Sequence, residues 1–248
     1  MGPWFFVSPE VIQHGKVLLP PEVHRHLKVL RLRKGDLLVL SDGKGTAFQA
    51  RLERMEDQRG EAEILGNEVS ANEPVLDVTL FPGITKGEKM EQVIRQSVEL
   101  GVKKIVPVFS ERSVVRLSRQ KKEEKCRRWQ KIARSAAGQC RRGLIPPVTL
   151  PLEFDEMLQY CREEIFEAFL VPWEEEKKAG LRQTLDSLPA GLRKIGLFIG
   201  PEGGISADEI EQMQKISGVY TVGLGPRILR AETAPIALLS ILMYCYDW

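Results

Sequence analysis

From residue 75 onward, short apolar runs alternate with segments whose apolar positions recur at helical spacing. This alternation restricts the fold of the chain more than any other property. Residues 75–81 read as a strand. Residues 88–100 follow, with Met90, Val93, Ile94 and Val98 at helical spacing and Gly101 in the position of a C-cap glycine. Residues 104–109 are strand-like again. Strand, helix and strand in that order imply a crossover connection, and hence a parallel sheet. The rhythm continues through a basic helix over 118–137, whose apolar stripe is Trp129, Ile132, Ala133 and Ala136, and a helix over 154–165. Strands over 167–171 and 195–199, a helix over 206–216 and a strand over 219–224 come next. Residues 235–246 are apolar nearly all round, which predicts a buried final helix. The fold class is α/β.

The first seventy residues read differently, as short strands and turns. Val17-Leu18-Leu19-Pro20 precedes a His/Lys/Arg-rich stretch over 24–34. Gly35-Asp36 then opens a strand over 37–40, and Ser41-Asp42-Gly43-Lys44-Gly45 has the composition of a hairpin turn into residues 46–52. A small β-barrel fits this pattern. The stretch 66–74, with Gly66, Asn67, Ser70, Asn72 and Pro74, is the candidate linker. Two domains are therefore expected, over 1–72 and 73–248.

Composition narrows the function. The most apolar stretch, residues 235–246, is too short to span a bilayer. Residues 1–7 lack a basic leader, a long apolar run and a small-residue cleavage site, so no signal peptide is expected. Cys126, Cys140, Cys161 and Cys245 are irregularly spaced with no C-x-x-C pair, which reads as reduced packing thiols in a cytoplasmic protein. His14, His24 and His26 are the only histidines. A His-dependent metal site or Ser-His triad farther along is thereby disfavoured, and no metal is expected. Net charge is only +2, yet residues 112–142 carry twelve Lys/Arg against two acids. Charge at that density fits either a polyanionic partner or a solvated helix face.

Two segments carry chemistry. In the first, Leu197-Phe198-Ile199 is a buried strand running into Gly200-Pro201-Glu202-Gly203-Gly204 and then a helix, whose start is set by an S-x-x-E capping box of Ser206 and Glu209. A glycine turn at a strand end lets a ligand approach the backbone, in the crevice where α/β proteins commonly bind ligands. A tight structural turn would use the same residues. No G-x-x-x-x-G-K-[ST] or G-x-G-x-x-G is present, and Glu202 would repel a phosphate while suiting a sulfonium or an amine. In the second segment, Gly223-Leu224-Gly225-Pro226 ends a strand. The chain then crosses Arg227, Ile228, Leu229, Arg230, Ala231 and Glu232 before Thr233, the expected N-cap, and Pro235. Charges next to a buried helix are costly unless paired or functional, and an Arg230–Glu232 salt bridge is the plain alternative.

Together these segments resemble the motif pair of the SPOUT methyltransferases, and within them the RsmE family of 16S rRNA uracil-N3 methyltransferases. His26-Leu27-Lys28-Val29-Leu30-Arg31-Leu32 with Gly35-Asp36 is similar to that family's PUA-like RNA-binding barrel. Lys86-Gly87-Glu88-Lys89-Met90-Glu91 and Glu99-Leu100-Gly101-Val102 are similar to its central unit, so the likeness spans the chain. The resemblance implies a C-terminal trefoil-knotted domain with a parallel sheet. It also implies a homodimer with the active site near its interface, and S-adenosylmethionine held bent by three loops. By position these follow Leu170-Val171-Pro172, Phe198-Ile199-Gly200 and Gly223-Leu224-Gly225. Backbone groups of Leu224 and Leu229 are expected to take the adenine edge, with Ile199, Ile228 and Leu229 as apolar walls. In one place the chain departs from the family: Gly138-Gln139 stands where Glu-Gln is usual, so no acid role carries over there.

The implied reaction sets further expectations. Uracil N3 is a poor nucleophile until its proton leaves, so a base or cationic donors are required. Arg230, or Arg112 reaching across the dimer, is expected to stabilise the developing charge, while Glu202 or Glu232 orients groups or takes the proton. His26, Lys28, Arg31, Arg33, Arg116, Arg141 and Arg142 are the candidates for gripping 16S rRNA in the small ribosomal subunit. A non-catalytic RNA-binding assembly protein with a degenerate C-terminal domain is the alternative, against which the two intact glycine loops speak.

Overall fold

A computed structural model describes residues 2–13, 15–56, 59–69 and 72–247. His14 and Ser70 lie outside the described residues. The chain divides into two compact units, one of Met1–Glu73 with Ala137–Ile145 and one of Pro74–Ala136 with Pro146–Trp248.

The first unit is a six-stranded sheet of β1 (Trp4–Phe6), β2 (Ile12–Gln13), β3 (Lys16–Leu18), β4 (Leu37–Ser41), β5 (Thr46–Met55) and β6 (Gly60–Val69), in the order β1-β4-β5-β6-β3-β2. The expected hairpin is present, since β4 and β5 pair antiparallel from Leu37↔Arg51 to Ser41↔Ala47. Val17, Leu27, Leu38, Leu40, Ala50 and Leu52 form its core, all fully buried. Two expectations are corrected here. The basic stretch after Pro20 is a helix, α1 (Pro21–Val29), which opens on a proline and buries Val23, His24 and Leu27. So short an apolar spacing cannot be told from a strand by pattern alone. The first part of the linker candidate, residues 66–69, is strand, because Gly66 pairs with Gln49 and Asn67 with Phe48. Ladder bonds to β5 outweigh the weak strand preference of glycine and asparagine.

Residues 137–145 join this unit through the turn between β4 and β5. The Gly45 amide donates to the Gly143 carbonyl at 3.1 Å, the Ile145 amide to Gly43 at 3.1 Å, and the Ser41 hydroxyl to Gly143 at 3.1 Å.

The second unit has a five-stranded parallel sheet. Its strands are β7 (Asp77–Pro82), β8 (Lys104–Ile105), β11 (Ala168–Pro172), β12 (Lys194–Ile199) and β13 (Val219–Val222), in the order β13-β11-β12-β7-β8. Every neighbouring pair is parallel, so all five carboxyl ends lie along one edge. The run 104–109 is two strands rather than the expected one. Pro107 has no amide to donate, and beyond it β9 (Val108–Phe109) leaves the sheet to pair with β10 (Leu152–Glu153). The helices are α2 (Lys89–Glu99), α3 (Arg119–Gln139), α4 (Phe154–Glu163), α5 (Leu181–Ser187), α6 (Ala207–Gln214) and α7 (Ala234–Tyr246). Strands β11 and β12 are buried on both faces, as central parallel strands must be. Phe81, Phe154, Met157, Phe169, Phe198 and Met213 form the core beside them.

The final helix is not buried all round. Leu238, Leu239, Leu242 and Met243 are buried and α7 packs on α2, but Ile241 is 39% and Tyr244 72% exposed. An all-apolar sequence shows that a helix has no polar face; it does not show what covers each face.

Candidate functional site

The loops that follow β11, β12 and β13 converge on a cleft of about 430 Å³. That volume falls in the ordinary range for small-molecule sites. Of the residues predicted for the cofactor, Pro172, Ile199, Gly200, Pro201, Glu202, Gly203 and Gly204 line it, as do Gly223, Leu224, Gly225, Ile228 and Leu229. Arg230 and Glu232 line it too. Leu170, Val171 and Phe198 do not: each is fully buried inside its strand, so they support the cleft as core and present nothing to it. Thr233 holds the predicted N-cap position of α7, but its side chain caps nothing and lies outside the cleft.

The glycine turn is held in part by the protein itself. The Gly204 amide donates to Pro201 at 2.9 Å, and a Cβ there would stand 2.3 Å from Glu174 Oε1, on a backbone with φ of +74°. Open approach occurs instead at Gly225, where φ is +103° and a Cβ would meet no atom within 4 Å. Among the described residues, the backbone groups of Leu224 and Leu229 enter no hydrogen bond within the chain. Both residues are half-buried, so these groups are open to water or to a ligand in the cleft.

Charge in the cleft is organised around Lys89, at the first turn of α2. Its ammonium lies 3.1 Å from Glu202 Oε1 and 3.8 Å from Glu232 Oε2. Glu202 also accepts from the Lys86 amide at 3.2 Å. Burial pushes the Glu202 carboxyl up, but hydrogen bonds from its own amide, from the Lys89 ammonium and from the Lys86 amide outweigh it and hold the group below the usual carboxylate range. Glu232 is different. Its Oε2 is buried and has no hydrogen-bond donor. Trp173 Nε1, in the loop after β11, is a buried donor without an acceptor. No Arg230–Glu232 bridge forms among the described residues; Lys89 takes that place.

Lys89, Trp173, Glu174 and Glu176 also line the cleft and were missed from the sequence. Trp173 could have been found by its place after β11, which mirrors the other two loops. Glu176 is a structural group, accepting from the Lys178 and Ala179 amides and from the Thr221 hydroxyl. Arg112 lies outside the cleft lining but touches it, donating from Nη1 to the Gly203 carbonyl of its own chain at 3.2 Å.

Of the RNA-facing candidates, His26, Lys28, Arg31, Arg33, Arg116 and Arg141 are exposed. Arg142 is not: it is 2% exposed, and its guanidinium is bound to Glu73 at 2.8 Å. A buried, paired arginine cannot reach a phosphate, so that assignment is withdrawn. Part of the charge on α3 is internally neutralised, as Arg128 pairs with Glu91 at 2.7 Å and Lys122 with Glu153 at 2.7 Å.

A parallel sheet whose carboxyl-end loops enclose a small-molecule cleft is the ligand-binding arrangement of an α/β enzyme, and comparison with known proteins narrows that class to the RNA methyltransferases. A family model described as an RNA methyltransferase domain matches residues 71–243, and one described as an RNA methyltransferase PUA domain matches 19–65. A ribosomal RNA small subunit methyltransferase E of Bacillus subtilis is 35% identical over 90% of this chain and 87% of its own. That of Aquifex aeolicus is 30% identical over 96% and 98%. The crystal structure of a ribosomal RNA small subunit methyltransferase E from Neisseria gonorrhoeae, bound to S-adenosylmethionine, superposes with a TM-score of 0.87. It has 36% identity and covers 100% of this chain and 99% of that one. The chain belongs to the ribosomal RNA small subunit methyltransferase E family.

Proposed function

We propose that the cleft binds S-adenosylmethionine and that the protein transfers a methyl group to N3 of a specific uridine in 16S rRNA. The observation that carries this reading is the buried, donorless Oε2 of Glu232 in the same cleft as the unpaired backbone groups of Leu224 and Leu229. The cleft suits a ligand with an adenine edge, a carboxylate and a cationic centre. Backbone groups are available for the first, the Trp173 N–H for the second and carboxylates for the third.

When bound, the cofactor supplies an electrophilic methyl on a sulfonium that departs as a thioether. Glu232 is the residue for the uracil N3 proton, because Glu202 is already committed to Lys89 and Lys86. Arg230, in the cleft lining, stabilises the negative charge that spreads over N3 and its flanking carbonyls. It cannot serve as the base at an arginine's pKa. Arg112, held on Gly203 of its own chain, offers its remaining guanidinium donors to the same base.

His26, Lys28, Arg31, Arg33, Arg116 and Arg141 grip RNA phosphates. Two copies associate through the exposed apolar residues Ile228, Ile241 and Tyr244, which are 85%, 39% and 72% exposed. The C-terminal domain is read as trefoil-knotted. In support, β13 lies at one edge of the sheet while α7 packs on α2, so residues 223–233 must cross the ends of the intervening strands. Among the described residues no helix is long and apolar enough to cross a membrane, and the cytoplasm is the proposed compartment.

The test incubates the protein with labelled cofactor and small subunits lacking the modification, then maps new reverse-transcription stops, because a methyl on N3 blocks base pairing. Labelling of a ribose or another base would overturn the uridine-N3 reading. Absence of calorimetric heat with S-adenosylmethionine would overturn the enzyme reading altogether.

A further inference from the structure

We propose that Glu209 is the positioning residue for Arg112, fixing the loop that carries it against the glycine turn of the cleft. This rests on the reading of Arg112 given above. In an ordinary capping box the glutamate spends one oxygen on the N-cap amide and leaves the other to water. Glu209 does the first, with Oε2 accepting from the Ser206 amide at 3.1 Å. It has no water for the second, being 3% exposed. Its Oε1 instead accepts from the Glu111 amide at 2.8 Å, from a loop 98 residues earlier.

A buried carboxylate must have its oxygens satisfied. Glu209 meets this with two backbone amides, one at the start of α6 and one immediately before Arg112. The second half of the brace is at Gly203. A Cβ there would stand 3.0 Å from both the Cβ and the carbonyl oxygen of Arg112, so only glycine lets the two backbones lie this close without one of them giving way. The Arg112 guanidinium then donates to the Gly203 carbonyl at 3.2 Å. Within the loop, the Ser113 hydroxyl accepts from the Ser110 amide at 3.0 Å and pairs with the Ser110 hydroxyl at 3.2 Å, and both serines are buried. Arg112 is thus held through the main chain beside it as well as through its side chain. Placement of this kind is worth rate, since a misplacement of about 1 Å can cost on the order of 10²-fold.

The experiment is a double-mutant cycle on single-turnover methylation with saturating cofactor and small subunits, comparing wild type, Glu209→Gln, Arg112→Ala and the double variant. Glutamine keeps the volume but supplies one acceptor oxygen for two amides. We expect Glu209→Gln to slow methylation tenfold or more and to add little once Arg112 is already alanine. Hydrogen exchange should accelerate over residues 110–113 while β7 and β12 stay protected. Rates that multiply in the double variant, or an unchanged rate and unchanged exchange in Glu209→Gln, would overturn the proposal. An unchanged rate in Arg112→Ala alone would overturn the reading of Arg112 and this inference with it, which separates the two failures. Should Glu209→Gln lose its cooperative melt, Ser113→Ala makes the same comparison without touching the helix cap.

Discussion

Arg141 and Arg142 are adjacent in sequence and opposite in environment, and substituting each in turn separates structural charge from charge proposed to meet RNA. Arg142 is buried, with Nη2 bound to Glu73 Oε2 at 2.8 Å and Nε at 3.3 Å from the same oxygen. The other carboxylate oxygen of Glu73 accepts from the Leu144 amide at 2.9 Å. Arg142→Ala removes the cation and leaves the Glu73 carboxylate largely buried, with its side chain 15% exposed. Breaking one side of a buried pair costs about 3–5 kcal/mol. That is a large share of the roughly 5–15 kcal/mol that holds a domain together. With an m-value of about 1–3 kcal/mol per molar urea, the midpoint should fall by roughly 1 M or more. Glu73→Leu with Arg142→Met should recover much of the loss, because an apolar pair leaves no unpaired charge. Arg141→Gly should behave in the opposite way. Arg141 is exposed with φ of +60°, a conformation glycine adopts without strain, so the substitution should cost far less stability than Arg142→Ala. RNA affinity should drop, and the salt dependence should lose about 0.7–0.9 of a unit of slope, the share of one phosphate contact. A urea midpoint unmoved in Arg142→Ala, or a reduced salt slope in that variant at unchanged stability, would refute the structural reading.

Other outcomes follow from the cleft and its surroundings. Glu232→Gln should lower the single-turnover rate by about 10²–10⁴-fold while changing the calorimetric affinity for S-adenosylmethionine far less; a rate near wild type would remove Glu232 from the chemistry. Glu202 has a folded pKa held below its ordinary value, so its stabilising contribution is present above about pH 4.3 and is lost as pH falls through the lower, folded value. Urea midpoints should therefore show an acid-side decline that moves to higher pH in Lys89→Met, and an unmoved decline would rule out the Lys89 contact as its cause. Burial pushes the Cys161 thiol up to about 12, whereas Cys245 is exposed. A thiol-specific disulfide reagent at pH 8 should label Cys161 only after denaturation; prompt labelling of Cys161, followed by peptide mapping, would contradict its burial.

The parts of this molecule legible in sequence are those whose physics is local. The capping box of Ser206 and Glu209 needs residues three apart, and it forms as read. The glycine turn and the segment from Gly223 to Glu232 sit at strand ends because apolar runs stop there, and both line the cleft. The sequence by itself determined that the second unit would be parallel α/β with its ligand crevice at the carboxyl ends. What it could not contain is which distant groups meet. Glu111 and Glu209 are 98 residues apart, and Lys89 is 113 from Glu202, so no spacing rule joins them. Nothing in Arg141-Arg142 says which arginine turns inward to Glu73, nor that residues 137–145 belong with the β4–β5 turn. The apolar composition of α7 predicted burial, whereas Ile241 and Tyr244 face outward on the chain. Those choices were made by the tertiary structure, because burial and pairing depend on neighbours brought together by chain crossings, whereas periodicity and turn chemistry depend only on neighbours along the chain.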